Sequence, residues 1–371
     1  MKRNALVISV CLLSSACSQA YAQSTNETAT INQYDNLQTA TISQTGSRND
    51  TVYIEQHDLN NTATILQTDT AGNTVNSYQN GVLNSSSVTQ TAETGDTDNI
   101  TQLGNLNNAG MQQQGGEGNV ATIYQSGSQN TAGIVQNGTF FNTDNINQTG
   151  SANSASIQQS ADESADIDAI NQTGTANNAV VLQQADVNNT ITIDQSGSLN
   201  VARISQQNGS SFNTETINQS GSGNNASIQQ DNSSFNALNV YQSGSLNTAG
   251  ITQNSANVQT DTVNQSGMNN LVGVLQENSG NNTVNINQQS SLTGLGNTAY
   301  VTQEAAFFSD ATVNQTGGNN YAGTYQAGSY ENLDIAQNGN FNTASIAQSG
   351  SHNTAAISQT GTSNLASITQ H

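Results

Sequence analysis

Glutamine recurs along this 371-residue chain at steps of 11 and 12, and that spacing is the feature that most restricts its fold. From Gln33 to Gln159 the two steps alternate, which gives a period of 23 made of two unequal halves. Almost every one of these glutamines follows an apolar residue two positions earlier, and the series continues to Gln370. A fixed period of this length is typical of repeat proteins in which each repeat stacks on its neighbours.

Within each half of the period, the sequence alternates every two residues. Asn130, Ala132, Ile134 and Gln136 occupy alternate positions, so they would share one face of a β-strand. Each 23-residue repeat therefore predicts a strand, a turn, a second strand and a second turn. The predicted fold is all-β: a parallel β-solenoid with two strands per coil, cross-β and amyloid-like in its stacking, with about 15 coils of ~23 residues.

Stacking in register would place Gln on Gln and Asn on Asn in successive coils. Their side-chain amides could then hydrogen-bond along the axis, as in the amide ladders of amyloid. Burial of so many amides is acceptable only if each copy satisfies its neighbour. The predicted ladder residues are Gln125, Gln136, Gln148, Gln159, Gln195, Gln206, Gln242, Gln253, Gln348, Gln359 and Gln370, with Asn107, Asn130, Asn153, Asn200, Asn247, Asn353 and Asn364.

Glycine forms a third periodic column, between the Gln and the Asn of the better-defined half. We interpret these glycines as turn residues, because glycine supplies the positive φ that a tight reversal needs. The predicted turn glycines are Gly104, Gly127, Gly150, Gly197, Gly244, Gly350 and Gly361.

The amino-acid composition excludes some classes of function for this chain. Charged residues are only 8% of the chain, there is no Pro, and the net charge is −21, which excludes a basic nucleic-acid surface. Pro is the residue that a continuous hydrogen-bonded strand ladder cannot accept. His57, His352 and His371 have no acid or thiol at a recurring spacing, so we expect solvated side chains and no catalysis, cofactor, metal or small-molecule substrate.

The N-terminus has the pattern of a secretory signal peptide over residues 1–22. Lys2 and Arg3 precede a short apolar run, and Ala20-Tyr21-Ala22 is a small-x-small cleavage site. A lipoprotein signal with Cys17 as the lipidated residue is the alternative. We therefore predict a short N-terminal lead at 23–30 and a repeat domain at 31–371. Both cysteines lie within the signal, so no disulfide is expected in the secreted chain.

A column of acids shares the inward parity of the glutamines: Asp98, Asp144, Glu215 and Asp261 lie in it, mostly alternating with apolar residues. The interpretation that the sequence favours is that solvent reaches this part of the strand near a corner. The other is that the acids are buried, repel one another and slow assembly as gatekeepers. Tyr78, Tyr124, Tyr241 and Tyr325 precede their glutamines and are expected to face outward.

The repeats closely resemble the curlin repeat of bacterial curli, whose hallmark is Gln-x-Gly-x-x-Asn-x-Ala-x-x-x-Gln. Gln125, Gly127, Asn130, Ala132 and Gln136 match it residue by residue, and the similarity extends over roughly 28–370. The chain departs from the family in having more coils and no Gly-rich segment after the signal, where the family carries its export address.

The resemblance implies a major or minor subunit of curli-like extracellular amyloid fibres, which resemble pili and serve adhesion and biofilm matrix. It implies self-association, a nucleator, outer-membrane export machinery and a cell-surface location on a Gram-negative-type bacterium. Growth would be head to tail, a contact that does not close on itself. The alternative is a monomeric secreted β-solenoid adhesin or ice-binding rod, which would need a capping segment.

Overall fold

A computed structural model describes residues 17–161, 164–290 and 295–371, with side chains described from Thr25 onward. The chain divides into two compact units, Met1–Ala185 and Asp186–His371. The predicted fold is confirmed: the chain is an all-β parallel β-solenoid of about 15 coils with two strands per coil. No helix long and apolar enough to cross a membrane occurs in the described ranges.

The first unit contains strands β1 to β15, which alternate between two parallel sheets. The odd-numbered strands are β1 Cys17–Thr25, β3 Thr39–Arg48, β5 Thr62–Thr68, β7 Ser85–Thr91, β9 Asn108–Gln114, β11 Thr131–Asn137, β13 Ser154–Ser160 and β15 Asn178–Gln184. The even-numbered strands are β2 Thr28–Gln33, β4 Thr51–Leu59, β6 Thr74–Val82, β8 Thr97–Asn105, β10 Val120–Ser128, β12 Thr143–Ser151 and β14 Ile167–Thr175.

The second unit continues the alternation with β16 to β31. Its even-numbered strands are β16 Thr190–Ser198, β18 Thr214–Ser222, β20 Ala237–Ser245, β22 Thr260–Met268, β24 Thr283–Ser290, β26 Asp310–Gly318, β28 Asn332–Asn340 and β30 Thr354–Thr362. Its odd-numbered strands are β17 Val201–Gln207, β19 Asn225–Asp231, β21 Thr248–Asn254, β23 Leu271–Glu277, β25 Thr298–Phe307, β27 Tyr321–Ser329, β29 Thr343–Ser351 and β31 Leu365–Gln370.

Successive coils stack in the register that the sequence columns predict. Between β10 and β12, Ile123 pairs with Ile146 and Gln125 pairs with Gln148. The inward positions carry Ala, Ile or Val beside the glutamines, and these side chains are almost all buried. A narrow interior between two facing sheets explains why small and β-branched residues suffice for the core.

Two corners connect the sheets. The first corner leads from an even strand to the next odd strand, and the second corner leads from an odd strand to the next even one. At the first corner the turn glycine has φ between 93° and 133°, as at Gly127 with φ 115°. The residue two positions later also has a positive φ, as at Gln129 with φ 58°. Two such residues let the chain reverse in a few positions.

The N-terminal predictions fall partly outside the described residues. Residues 1–16 of the predicted signal peptide are among the positions not described. The backbone from Cys17 to Thr25 forms β1, which pairs in parallel with β3. The first even strand, β2, begins at Thr28.

Candidate functional site

Within each unit the inward glutamines form two ladders, one in each sheet. In the even sheet, Nε2 of Gln125 donates to Oε1 of Gln148 at 2.8 Å, and in the odd sheet Nε2 of Gln136 donates to Oε1 of Gln159 at 3.2 Å. The same bond links the remaining predicted ladder glutamines to a glutamine of a neighbouring coil: Gln195–Gln219, Gln206–Gln230, Gln242–Gln265, Gln253–Gln276, Gln337–Gln359 and Gln348–Gln370.

The glutamines of the even sheet also tie the two sheets together. Nε2 of Gln125 donates to the carbonyl oxygen of Asn108 at 3.1 Å, and Nε2 of Gln148 donates to that of Thr131 at 3.0 Å. Each amide thus uses one N–H along the axis and one across the interior. Because both N–H groups have an acceptor, burying the amide does not incur the free-energy cost of an unpaired donor.

Asparagines at the first corner form a third ladder that reaches both side chains and backbone. Nδ2 of Asn130 donates to the carbonyl oxygen of Gly150 and to Oδ1 of Asn107, both at 3.1 Å, while its own Oδ1 accepts from the backbone N–H of Asn153 at 3.1 Å. Equivalent bonds join the other first-corner residues of the predicted set: Asn107 with Asn84, Asn153 with Asn130, Asn247 with Asn224, and Asn364 with Asn342, while Asn200 accepts from Asn224.

One predicted ladder residue belongs to a different corner from the others. Asn353 follows an odd strand, and its Nδ2 donates to Oε1 of Glu331 at 3.2 Å. The structure therefore does not bring Asn353 and Asn364 into one column. The same holds for the glycines: Gly350 lies at the second corner, whereas Gly361 lies at the first.

Sequence reasoning missed a fourth ladder, at the second corner. The backbone N–H of Asp96 donates to Oδ1 of Asn73 at 2.9 Å, and that of Asn119 donates to Oδ1 of Asp96 at 2.7 Å. Asp50 and Asn142 extend the column in the two directions, with bonds of 2.8 and 3.1 Å. A 23-residue column of Asn and Asp was the signal that could have revealed it.

The predicted gatekeeper acids are buried. Asp98, Asp144, Glu215 and Asp261 are each at most 1% exposed, so the favoured interpretation of a solvent-accessible corner is wrong. The physical reason is that the strand continues inward at this position and packs against the opposite sheet. Asp144 also pairs directly with Asp168 in the next coil, so the alternation of acids with apolar residues is incomplete.

Each of these acids accepts a hydrogen bond from a ladder glutamine of the odd sheet. The acceptor–donor pairs are Asp98–Gln90 at 3.0 Å, Asp144–Gln136 at 3.0 Å, Glu215–Gln206 at 2.9 Å and Asp261–Gln253 at 3.2 Å. Burial raises the pKa of Asp98 and of Asp144 well above the usual range, and it raises the pKa of Asp261 to about 7. The glutamine bonds only partly offset this desolvation.

Two further acids lie next to Asp98 at the second corner. Glu93 and Asp96 are buried, and burial followed by the hydrogen bond to Asp96 raises the pKa of Glu93 to about 9. Burial likewise raises the pKa of Asp96. A carboxyl group held in this way favours its neutral form, because removing a charge from water costs more than the available hydrogen bonds return.

The histidines and tyrosines lie on the surface. His57 accepts or donates a hydrogen bond of 2.7 Å with Glu55 and stacks on Tyr34 with 4.5 Å between ring centroids, so it is not merely solvated. The outward tyrosines at 78, 124, 241 and 325 are all at least partly exposed. No group of three or more metal-ligating side chains is placed to hold a metal ion among the described residues.

The fold and these ladders define a class: a repeat protein in which each coil is an in-register template for the next. The family model for the curlin associated repeat matches the chain at residues 187–211 and 339–371. The chain therefore carries curlin repeats at these two places, which supports the resemblance to a curlin-repeat family. No curated protein matches the chain significantly.

Proposed function

We propose that this protein is a secreted structural subunit of curli-like extracellular amyloid fibres that grow by head-to-tail stacking of coils. The observation that carries the proposal is the direction of the glutamine ladders. In the bonds described above, Nε2 of one coil donates to Oε1 of the coil that follows in sequence. The ladders therefore have a donor end and an acceptor end.

This polarity favours one mode of association. Gln359 and Gln370 are the last glutamines of the two ladders, at the donor end. Gln359 also donates across the interior to the carbonyl oxygen of Thr343, and Gln370 donates to that of Thr354. At the opposite end, Gln33 begins the even-sheet ladder and donates onward to Gln56. A second copy stacked head to tail presents Oε1 acceptors to donors, whereas head-to-head stacking opposes donor to donor.

The last coil also presents an open strand edge. Among the strands of the described ranges, β31 pairs only with β29, and Leu365 at its start is 81% exposed. In β29 the backbone N–H of Thr343 donates to the following coil, at the carbonyl of Asn364. By the same parity, the N–H groups of Leu365, Ser367 and Thr369 point away from β29. Such a row of backbone groups is a template for another strand.

The curlin repeat points to a curli-type subunit, and repeats of this family belong to structural subunits, not to known enzymes. On that basis the fibre serves adhesion and biofilm matrix at the surface of a Gram-negative-type bacterium. Residues 1–22 act as the signal peptide. The lead at 23–30 meets the outer-membrane export machinery, and a curli-type nucleator starts assembly.

The buried acids are gatekeepers in this scheme. Around pH 7, a chain that adds a coil must either protonate Asp98, Asp144 and Asp261 or bury their charges, and both slow growth. We expect Asp98→Asn/Asp144→Asn/Asp261→Asn to shorten the assembly lag at pH 7. Unchanged kinetics would remove the gatekeeper role and leave the fibre proposal intact.

The proposal is tested by incubating the purified chain and examining it for fibres with a meridional reflection near ~4.7 Å. Ser367→Pro supplies the sharper test, since it removes an outward-pointing N–H without breaking a bond inside the subunit. We expect the variant to fold but to stop elongation at that end, while the control Ser367→Ala elongates normally. A chain that stays a soluble monomer would instead support the capped adhesin or ice-binding rod.

A further inference from the structure

At the second corner of the unit 186–371, the position two residues before each even strand is exposed and has a left-handed backbone conformation. These residues have φ between 55° and 60°, and most of them are large and apolar. We call five of them the corner ridge: Phe212, Phe235, Val258, Phe308 and Tyr330. Three polar residues, Asn188, Asn281 and His352, occupy equivalent positions in the same column.

The backbone at these positions does not call for large side chains. A positive φ is unfavourable for bulky and β-branched residues, and Gly or Asn adopts it with less strain. Residue types that tolerate a positive φ do occur at equivalent positions: Asn281 in this unit and Gly118 in the first unit. Strain that the fold could avoid at several consecutive coils indicates a role outside folding.

The ridge residues also gain little from the core. Each is between 48% and 59% exposed, so more than half of most of these side chains remains in contact with water. Instead, the aromatic side chains of the ridge stack on one another. Phe212 stacks on Phe235 with 5.0 Å between centroids and planes 2° apart, and Phe308 stacks on Tyr330 at 5.1 Å and 7°. The outcome is an apolar ridge of ring edges that follows the stacking axis.

We propose that the corner ridge is a lateral interface between copies of this chain, so that fibres associate side by side along it. The inference rests on the proposed fibre. Successive ridge residues lie one coil apart, close to the ~4.8 Å spacing of stacked strands, except where Asn281 stands between Val258 and Phe308. A second copy is the partner that presents apolar groups at that same spacing, so every ridge residue can be matched at once.

The area of the ridge explains why the fibre, not the monomer, is the species that pairs. Half of an aromatic side chain corresponds to roughly 100 Å² and Val258 contributes less, so five residues on each of two copies bury at most about 1,000 Å². That is the lower limit for a specific protein interface, so single subunits pair weakly. A fibre repeats the ridge in every subunit, and the contacts then act multivalently.

The charges beside the ridge oppose this pairing. Asp231 ends the strand that precedes the turn of Phe235, Glu277 ends the strand that precedes the turn of Asn281 in the same column, and Glu304 lies close to Phe308 in sequence. All three are acidic and partly or fully exposed. Two ridges brought together therefore repel through like charges, and salt screens exposed charges within about 10 Å at 0.1 M. Lateral association consequently strengthens as ionic strength rises.

The test is a fivefold variant of the full chain, F212N/F235N/V258N/F308N/Y330N, because Asn suits a left-handed backbone. We expect its monomers to add to wild-type seeds at the wild-type rate, which verifies its fold. Electron microscopy should show single filaments where the wild type forms bundles. The fraction that sediments at low speed should fall on the order of tenfold or more, and added salt should not restore it.

The matched control replaces exposed leucines in the left-handed positions of the first corner, L83N/L106N/L199N/L246N. We expect it to bundle like the wild type. The inference is overturned if the ridge variant bundles normally, or if the leucine variant loses bundling equally. Absence of wild-type fibres overturns the proposed function and the ridge together, whereas normal fibres of unchanged width overturn the ridge alone.

Discussion

The α-carbon of Gly104 lies against the backbone of Gly127 in the following coil, so closely that a β-carbon on Gly104 would stand 2.1 Å from the Gly127 carbonyl oxygen. The same approach recurs from Gly127 to Gly150, at 2.0 Å, and from Gly197 to Gly221, at 2.1 Å. Two independent constraints thus select glycine at the first corner. One is the positive φ, and the other is the backbone of the next coil.

Replacing a mid-solenoid glycine at the first corner is predicted to be severely destabilising. In Gly127→Ala the methyl group must both adopt a strained φ and displace the backbone of Gly150, which together should cost about 3 kcal/mol or more. Gly133→Ala is the control, because Gly133 has ordinary φ and nothing lies within 4 Å of an added β-carbon. Chemical denaturation of the monomer measures both, and equal midpoints would contradict the steric argument.

Gly361→Ala is predicted to separate folding from assembly. Gly361 has φ 107°, but a β-carbon there would meet nothing closer than Nδ2 of Asn364, at 3.8 Å. The monomer therefore suffers only the backbone strain, about 1–3 kcal/mol. In a head-to-tail fibre the next subunit places its backbone against this position, and the clash seen at Gly127 reappears at the junction. Seeded elongation should slow markedly while the far-UV circular dichroism stays native.

An alternative outcome would be informative about the mode of growth. If Gly361→Ala elongates at the wild-type rate, the coil that carries Gly361 is not the growing surface, and the stacking arrangement proposed from the glutamine ladders is wrong. The matched comparison is Gly250→Ala, since Gly250 lies within β21 and faces open space.

The repeating columns made much of the fold predictable. The spacing from Gln125 to Gln136 and on to Gln148 determines strand, turn and register together, because each step of two residues returns to the same face. What the columns could not reveal is distance between coils. The close contact of Gly104 with Gly127 depends on how tightly two backbones stack, and a single repeat contains no information about that.

Burial of the acids was the main point that parity alone could not decide. Asp98 has inward parity, yet an inward position near a strand's start lies either in the core or at its solvent edge. A charged residue ordinarily argues for the edge, because buried carboxylates are rare. The opposing glutamine, Gln90, is what makes burial tolerable, and that partner becomes visible only when the two sheets face each other.

Removing one asparagine from the first-corner ladder is predicted to destabilise the fold more than removing an exposed one. Asn130→Ala leaves the carbonyl oxygen of Gly150 and the backbone N–H of Asn153 without their side-chain partner. Each buried group so deprived costs about 1–3 kcal/mol. Asn130→Asp should also destabilise, because the carboxylate replaces a donor that faces carbonyl oxygens. Thermal unfolding compares both with Asn147→Ala, an exposed asparagine on β12; similar losses in all three would refute the ladder's role.

Stability and assembly are predicted to increase as pH falls, and Asp261 is the clearest contributor. Its pKa is raised to about 7 by burial, against hydrogen bonds from Gln253 and Gln276 at 3.2 and 3.1 Å. Its neighbours along the column, Leu238 and Val284, are apolar and do not offset the charge. The folded chain binds this proton more tightly than the unfolded chain, whose Asp titrates near 3.9.

The stabilising effect is therefore fully present below about pH 4 and is lost as pH rises through 7, on the order of 4 kcal/mol for this one residue. Asp261→Asn should be about as stable as the wild type at pH 4 and more stable at pH 8. Its assembly lag at pH 8 should be shorter than that of the wild type. Asp334→Asn, which alters an exposed acid on β28, is the matched control and should keep the wild-type pH profile. Denaturation midpoints and lag times between pH 4 and pH 8 measure both effects, and a wild-type pH profile in Asp261→Asn would show that the buried carboxyl does not take up a proton on folding.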